Sequence, residues 1–247
     1  MAVGGALTEI VYALGAEAAL VGVDTTSQHP ASATDLPQVG YQRNLSPEGI
    51  LSLSPDLLLV TADAGPPEVL DQVRGAGIEI LALPTGHDVN GVLDRVDTLA
   101  QRFDRVEGGQ RLAMRIEQRM EALQQRVKAQ TTRPKALFLL GASPGSAMAA
   151  GSDTAADAML RLAGADNVFE NIDGYKAVGA ESLIAAAPDA IVVVAHGASD
   201  ASDIIADTLR LLGFGPRIDE AAQDLFDALH ADAAETIETP SLATLPR

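Results

Sequence analysis

The chain has 247 residues, 47 % of them hydrophobic, with no cysteine and a formal net charge of -17. That length can bury a substantial core as one large domain or two lobes. The acidic balance argues against nucleic acid and anionic lipid as partners, and the missing cysteines exclude disulfides and thiolate metal sites.

The start, MAVGGALTEI, lacks the basic and apolar regions of a secretory signal, and no apolar run approaches the roughly 18 to 20 residues that span a bilayer. The sequence as given therefore reads as soluble and not inserted in a membrane. It fits equally a chain made without an export signal and one whose signal has been removed.

In chain order, Leu7 to Leu14 is an amphipathic helix stopped by Gly15, followed by a β-branched strand from Leu20 to Asp24. Pro47 to Leu53 is a short helix before the strand Leu57 to Thr61, and Pro66 to Gly75 a helix before the strand Ile78 to Leu83. Strands alternating with helices predict parallel pairing with helices on both faces.

From Val89 to Lys128 the helical period is continuous except around RVEGG, with Leu99, Leu112, Ile116, Met120, Leu123 and Val127 on one side. After TTRP the alternation resumes. It runs through strand Lys135 to Leu140, helix Thr154 to Ala163, helix Ala180 to Ala187, strand Ala190 to Val194 and helix Asp219 to Leu229. The expected organisation is an N-terminal α/β lobe over 1–105, a connecting helix over 106–132 and a C-terminal α/β lobe over 133–247.

EGILSLSPDLLLV (Glu48 to Val60) matches ESLIAAAPDAIVV (Glu181 to Val193) with every position 133 residues apart, so that Glu, Pro and Asp coincide. A Gly-Tyr pair precedes each copy, Gly40-Tyr41 and Gly174-Tyr175. We read this as a duplication of one helix, Pro-Asp turn and strand. Two lobes joined by one long helix predict a ligand cleft between them.

GASPG, Gly141 to Gly145, has the spacing of a nucleophile elbow around Ser143. The residue after that serine is Pro144, which has no N–H to offer an oxyanion, so a turn is the better reading. His29, His87, His196 and His230 are scattered without metal-ligand spacing and read as surface or capping residues. His196, just after a strand, is the exception to watch.

Tyr41 lies in LPQVGYQRNLSP, closed by prolines at both ends and therefore expected to be extended, with Tyr41 and Arg43 projecting to one side. A guanidinium beside a phenol favours the phenolate, which a ferric ion accepts as ligand. A loop tyrosine half-packed on its own lobe is the alternative.

GGALTEIVYALG, LVGVDTTSQHP, LPQVGYQRNLSPEGILSLSPDLLL, AGPPEVLDQVRGAGI, GSDTAADAMLRLAGADN, GYKAVGAESLIAAAPDAIVV and LLGFGPR together resemble the periplasmic haem-binding proteins of bacterial ABC-type haem importers, within the helical-backbone (class III) substrate-binding proteins. The resemblance implies two α/β lobes on a rigid helix, no enzymatic activity, a periplasmic location and haem as the transported ligand. It implies that Tyr41 is the axial ligand of the haem iron, flanked by Arg43, and that Glu48 and Glu181 dock on a membrane permease dimer.

Tyr175, Lys176 and His196 are the supporting candidates for the haem site, with Arg43 or Lys176 meeting the propionates. The protein is expected to act as a monomer. Three departures from the family pattern stand out. The strand expected before GGALTEI is missing or trimmed, the stretch between IVVVAHGASDAS and DTLRLLGFGPR is shortened, and no histidine accompanies TAADAM, so one haem is expected rather than a stacked pair.

A binder of cobalamin or a ferric siderophore is the rival within the fold. Absence of tryptophan weighs against the first and scarcity of basic residues against the second. An α/β serine hydrolase using Ser143, and a non-enzymatic adaptor, are the rivals outside it.

Overall fold

The alternating pattern builds two α/β units in the computed structural model, which describes residues 1–140, 148–194 and 210–231. One unit comprises Met1–Ile116 with Gly213–Pro216, the other Glu117–Leu212 with Arg217–Arg247.

The first unit runs β1 (Ala2–Val3), α1 (Gly5–Ala13), β2 (Gly40–Tyr41), β3 (Asn44–Leu45), α2 (Pro47–Ser52), β4 (Leu57–Thr61), α3 (Pro67–Gly75), β5 (Glu79–Leu83), α4 (Val89–Arg102) and the start of α5 (Val106–Ala129). Its sheet has the order β1-β4-β5 and is parallel throughout, Ala2 opposite Leu59 and Leu57 opposite Glu79. Because side chains alternate along a strand, Leu58 and Val60 of β4 meet Ile50 of α2 and Val69 and Val73 of α3, while Leu59 is buried on the other face, where α1 packs. Each such aliphatic side chain contributes about 1.5–3 kcal/mol by leaving water.

The strand before GGALTEI, expected to be missing or trimmed, is present in short form as the two-residue β1, paired with β4. The stretch Leu20 to Asp24 is not a strand: only Val23 bridges, to Ala2 and Gln38. A 3₁₀ turn at Glu17–Ala19 precedes it, and Asp24 then accepts hydrogen bonds from the Thr26 N–H at 3.1 Å and the Thr26 hydroxyl at 2.7 Å, which turn the backbone away from a ladder.

The long helical stretch breaks at Phe103 to Arg105, at the start of RVEGG where the pattern is interrupted in the sequence, with Asp104 at φ 55. Gly108 and Gly109 lie inside α5. A Cβ on Gly109 would stand 2.4 Å from the Ala100 Cβ, so this glycine permits the close approach of α5 to α4.

The second unit takes up the rest of α5 and runs β6 (Lys135–Leu140), β7 (Met148–Ala150), α6 (Ala155–Leu162), β8 (Asp166–Asn167), β9 (Tyr175–Ala177), α7 (Ala180–Ala186), β10 (Ala190–Val194) and α8 (Ile218–His230). Among the described residues, β10 and β8 pair with β6 in parallel, whereas β7 pairs with β6, and β9 with β7, antiparallel. The sheet is therefore mixed. The antiparallel strands are three residues each, too short to leave a hydrophobic period in the sequence.

In this unit Met120 and Leu123 of α5 are buried, and Arg119 and Arg126 reach α8 through Asp219 at 3.2 Å and Asp227 at 2.6 Å. Arg126 also covers the Phe226 ring at 4.4 Å from its centroid. His230 stacks on the same ring, and its Nε2 stands 3.1 Å from the carbonyl of Ala163 at the end of α6, a capping position. Among the described residues, no helix is long and apolar enough to cross a membrane.

The internal repeat is written into the backbone. Gly40 and Gly174, the glycines of the two Gly-Tyr pairs, have φ 98 and φ 71, values that only glycine adopts without strain. Ser54 and Ala187, 133 positions apart, are both left-handed, at φ 44 and φ 41, and each ends its short helix before a Pro-Asp pair and a parallel strand. Non-glycine residues avoid that region, so the shared exception marks a shared backbone.

Candidate functional site

Tyr41 lies on the extended strand β2, but the segment between the prolines is not extended throughout. The chain turns back at Gln42 and Arg43, so that β2 and β3 form a two-stranded antiparallel hairpin with Tyr41 opposite Asn44. Prolines at 37 and 47 bound the hairpin, and Gly40 provides the left-handed residue that opens it.

The hairpin is fastened to the loop that follows the carboxyl end of β4. The Gly65 N–H donates to the Gln42 carbonyl at 2.9 Å, and the Leu45 N–H donates to the Gly65 carbonyl at 3.0 Å. Thr61, the last residue of β4, places its hydroxyl 3.4 Å from Gln42 Oε1. Ends of parallel strands are where this kind of sheet offers ligand sites.

Tyr41 and Arg43 do come together. Arg43 Nη1 is 3.5 Å from the Tyr41 hydroxyl, a long contact, while Arg43 Nε and Nη2 donate to Asp63 Oδ2 at 3.0 Å and 2.6 Å. Asp63, absent from the candidate set read from the sequence, is thus the principal partner of the guanidinium. Its hydrogen bonds raise the Arg43 pKa above its ordinary value, against a smaller effect of burial. For Asp63, burial works against the charged form, but hydrogen bonds from Arg43 and Thr61 outweigh it and hold the carboxyl below its ordinary value.

Tyr41 itself is 43 % exposed, so its phenol oxygen is reachable from outside the unit. The arrangement presents a hard oxygen donor on a rigid hairpin, with a cation held beside it by a carboxylate. The signal that could have found Asp63 is its place just past the end of a parallel strand, in TADAGPP.

In the second unit Tyr175 and Lys176 lie on β9, Tyr175 opposite Ala150 and Lys176 opposite Ala149. Tyr175 is half-buried and Lys176 exposed. Adjacent residues of a strand point to opposite faces, so these two do not serve one surface. His196 and Ser143 lie outside the described residues. Glu48 and Glu181 are both exposed, and each is the second residue of its short helix.

Residues 1–211 match the periplasmic binding protein family. The chain belongs to that family. Two solved structures resemble it along nearly the whole length. The periplasmic haem-binding protein BhuT, in complex with two haems, is 37 % identical with a TM-score of 0.83, covering 92 % of this chain and 96 % of that one. A periplasmic haem-binding protein from Pseudomonas aeruginosa is 31 % identical with a TM-score of 0.85, covering 100 % and 97 %.

A vitamin B12-binding protein from Yersinia pestis is 30 % identical over 188 residues, 75 % of this chain and 65 % of that protein, so the chain spans less than two thirds of this relative. Periplasmic binding proteins are binding proteins of transport rather than enzymes, which removes the hydrolase reading of Ser143. The two α/β units with a long helix at their boundary are the architecture of the solved relatives.

Proposed function

We propose that this periplasmic binding protein captures haem in the periplasm and delivers it to an ABC-transporter permease. The observation that carries the reading is the Tyr41 hairpin: a reachable phenol with Arg43 at 3.5 Å, Arg43 being fixed in turn by Asp63. A phenol oxygen, once deprotonated, is a hard anionic ligand suited to ferric iron, and the neighbouring guanidinium favours that charge. The similarity to two haem-binding proteins at 37 % and 31 % identity supports the same ligand.

In this reading Tyr41 binds iron, and Arg43 or Lys176 faces the propionates. Because Tyr175 and Lys176 point to opposite faces of β9, one of the two lines the site: Tyr175 is the support where Arg43 meets the propionates, and His196 is the other support. The aliphatic side chains that dominate a chain with 3 % aromatic residues form the walls. Glu48 and Glu181 present one carboxylate from each unit to a permease dimer, and haem leaves without any bond in its ring being changed. The protein acts as a monomer with one haem.

A second reading, a cobalamin carrier, is favoured by the relatives named vitamin B12-binding protein. Absorbance titration decides between them. Haemin should give a saturable Soret change at one equivalent, weakened at least about 100-fold by Tyr41→Ala, and cyanocobalamin should not compete. Tight cyanocobalamin binding that survives Tyr41→Ala would establish the second reading instead.

A further inference from the structure

The repeat brings one more pair into register. Leu51 stands three residues after Glu48, and Ile184 three residues after Glu181, so each aliphatic side chain shares a helix face with the carboxylate. Both are exposed, Leu51 at 37 % and Ile184 at 79 %. The preceding residue of each helix turns inward: Ile50 is fully buried in the core of its unit, and Leu183 packs against the core of the other. Folding is thus served by Ile50 and Leu183, and leaves Leu51 and Ile184 unused.

A single exposed leucine on a protein surface needs no explanation. Here the same repeat position is apolar and exposed in both units, although the flanking positions have diverged, Gly49 against Ser182 and Ser52 against Ala185. Divergence would have replaced an idle aliphatic residue as freely as its neighbours. A carboxylate beside an apolar side chain, presented twice by a duplicated chain, fits a partner that offers the same surface twice. Such a surface would be an apolar pocket rimmed by a cation, matching the acidic rim here.

We infer that Leu51 and Ile184 are apolar anchors that seat the binding protein on two equivalent, basic-rimmed pockets of a dimeric integral membrane permease. This rests on the docking role proposed above for Glu48 and Glu181. The carboxylates steer and orient, and the aliphatic side chains hold the complex together once water is excluded around them.

The test uses fluorescently labelled full chain and the source organism's haem importer, purified as the complete complex in lipid nanodiscs. Leu51→Ser with Ile184→Ser should weaken binding about 30-fold, Leu51→Met with Ile184→Met should bind like the unmodified chain, and haemin titration should be unaltered in both. Raising the salt concentration should reduce the loss caused by Glu48→Gln with Glu181→Gln and leave the serine loss in place.

If the serine pair binds the importer as the unmodified chain does while the glutamine pair is weakened, the anchors are refuted and the carboxylate docking stands. If the glutamine pair also binds normally, the docking reading falls with them. A serine pair that loses haemin binding as well would assign the two residues to folding, against the proposal.

Discussion

The two copies of the repeated phrase share a backbone and differ in what they do with it. In the first unit the Gly-Tyr pair opens a separate hairpin whose tyrosine is exposed beside Arg43 and Asp63. In the second it begins β9, a strand of the main sheet, where Tyr175 is half-buried opposite Ala150. The same left-handed glycine, short helix, left-handed residue and Pro-Asp turn thus accompany a hairpin with an exposed tyrosine in one unit and a strand of the main sheet in the other. A shared backbone carries different side-chain surroundings in the two units.

The units also secure their first long helix differently. Asp24, fully buried, accepts from the Gly4 N–H at 3.0 Å, the Thr26 N–H and hydroxyl, and the Ser27 hydroxyl at 2.9 Å, while the Gly5 N–H donates to the Thr26 hydroxyl at 2.9 Å. In the second unit the corresponding knot is built from an amide. Asn167 donates to the Ala150 carbonyl at 3.0 Å and to Asp157 at 2.9 Å, and accepts from the Phe169 N–H at 3.0 Å. Thr154 caps α6 by accepting from the Asp157 N–H.

This contrast can be broken most strongly at the two knots. Asp24→Ala leaves several buried donors unsatisfied and should lower stability by about 3 kcal/mol, against about 2 kcal/mol for Asn167→Ala, read from urea unfolding. Equal losses would mean that the carboxylate knot confers no extra stability. Next in size, Asp63→Asn frees the Arg43 guanidinium from its anchor and should weaken haemin binding about tenfold, whereas Asp189→Asn, at the start of β10, should leave it unchanged.

The Arg43–Asp63 pair also has a pH signature. Since the Asp63 carboxyl is held below its ordinary value in the folded chain, its contribution to stability is complete above about pH 4 and disappears as pH falls through the lowered value. The difference in unfolding free energy between the unmodified chain and Asp63→Asn should therefore be constant from about pH 7 to 5 and shrink below about pH 4. The pair is surface-placed, so this difference is small. Smallest of all, Ser54→Gly and Ala187→Gly should each stabilise the chain by about 0.5 kcal/mol, because both relieve the same left-handed strain. A gain at one position only would mean that the two turns are not equivalent.

Elements with a strong period were legible in the sequence: α5 through Ile116, Met120 and Leu123, β4 and β10 through their aliphatic runs, and the repeat through Glu, Pro and Asp. What was missed depended on contacts far apart in sequence. β1 is two residues long and is a strand only because β4 lies beside it. Leu20 to Asp24 has strand propensity, but the Asp24 side chain takes the backbone into a turn. At the candidate site, Tyr41 and Arg43 were legible as a pair, but the hairpin and Asp63, twenty positions from Arg43, follow from the closure of the loop after β4 onto Gln42 and Leu45.

The central claim is that the Tyr41 oxygen, and not its counterpart on Tyr175, holds the iron of haem. Resonance Raman spectroscopy of the haemin complex, on the unmodified chain, Tyr41→Phe and Tyr175→Phe, tests it most directly. The account predicts iron–phenolate bands in the first and third and their loss in Tyr41→Phe; bands that persist in Tyr41→Phe would contradict it.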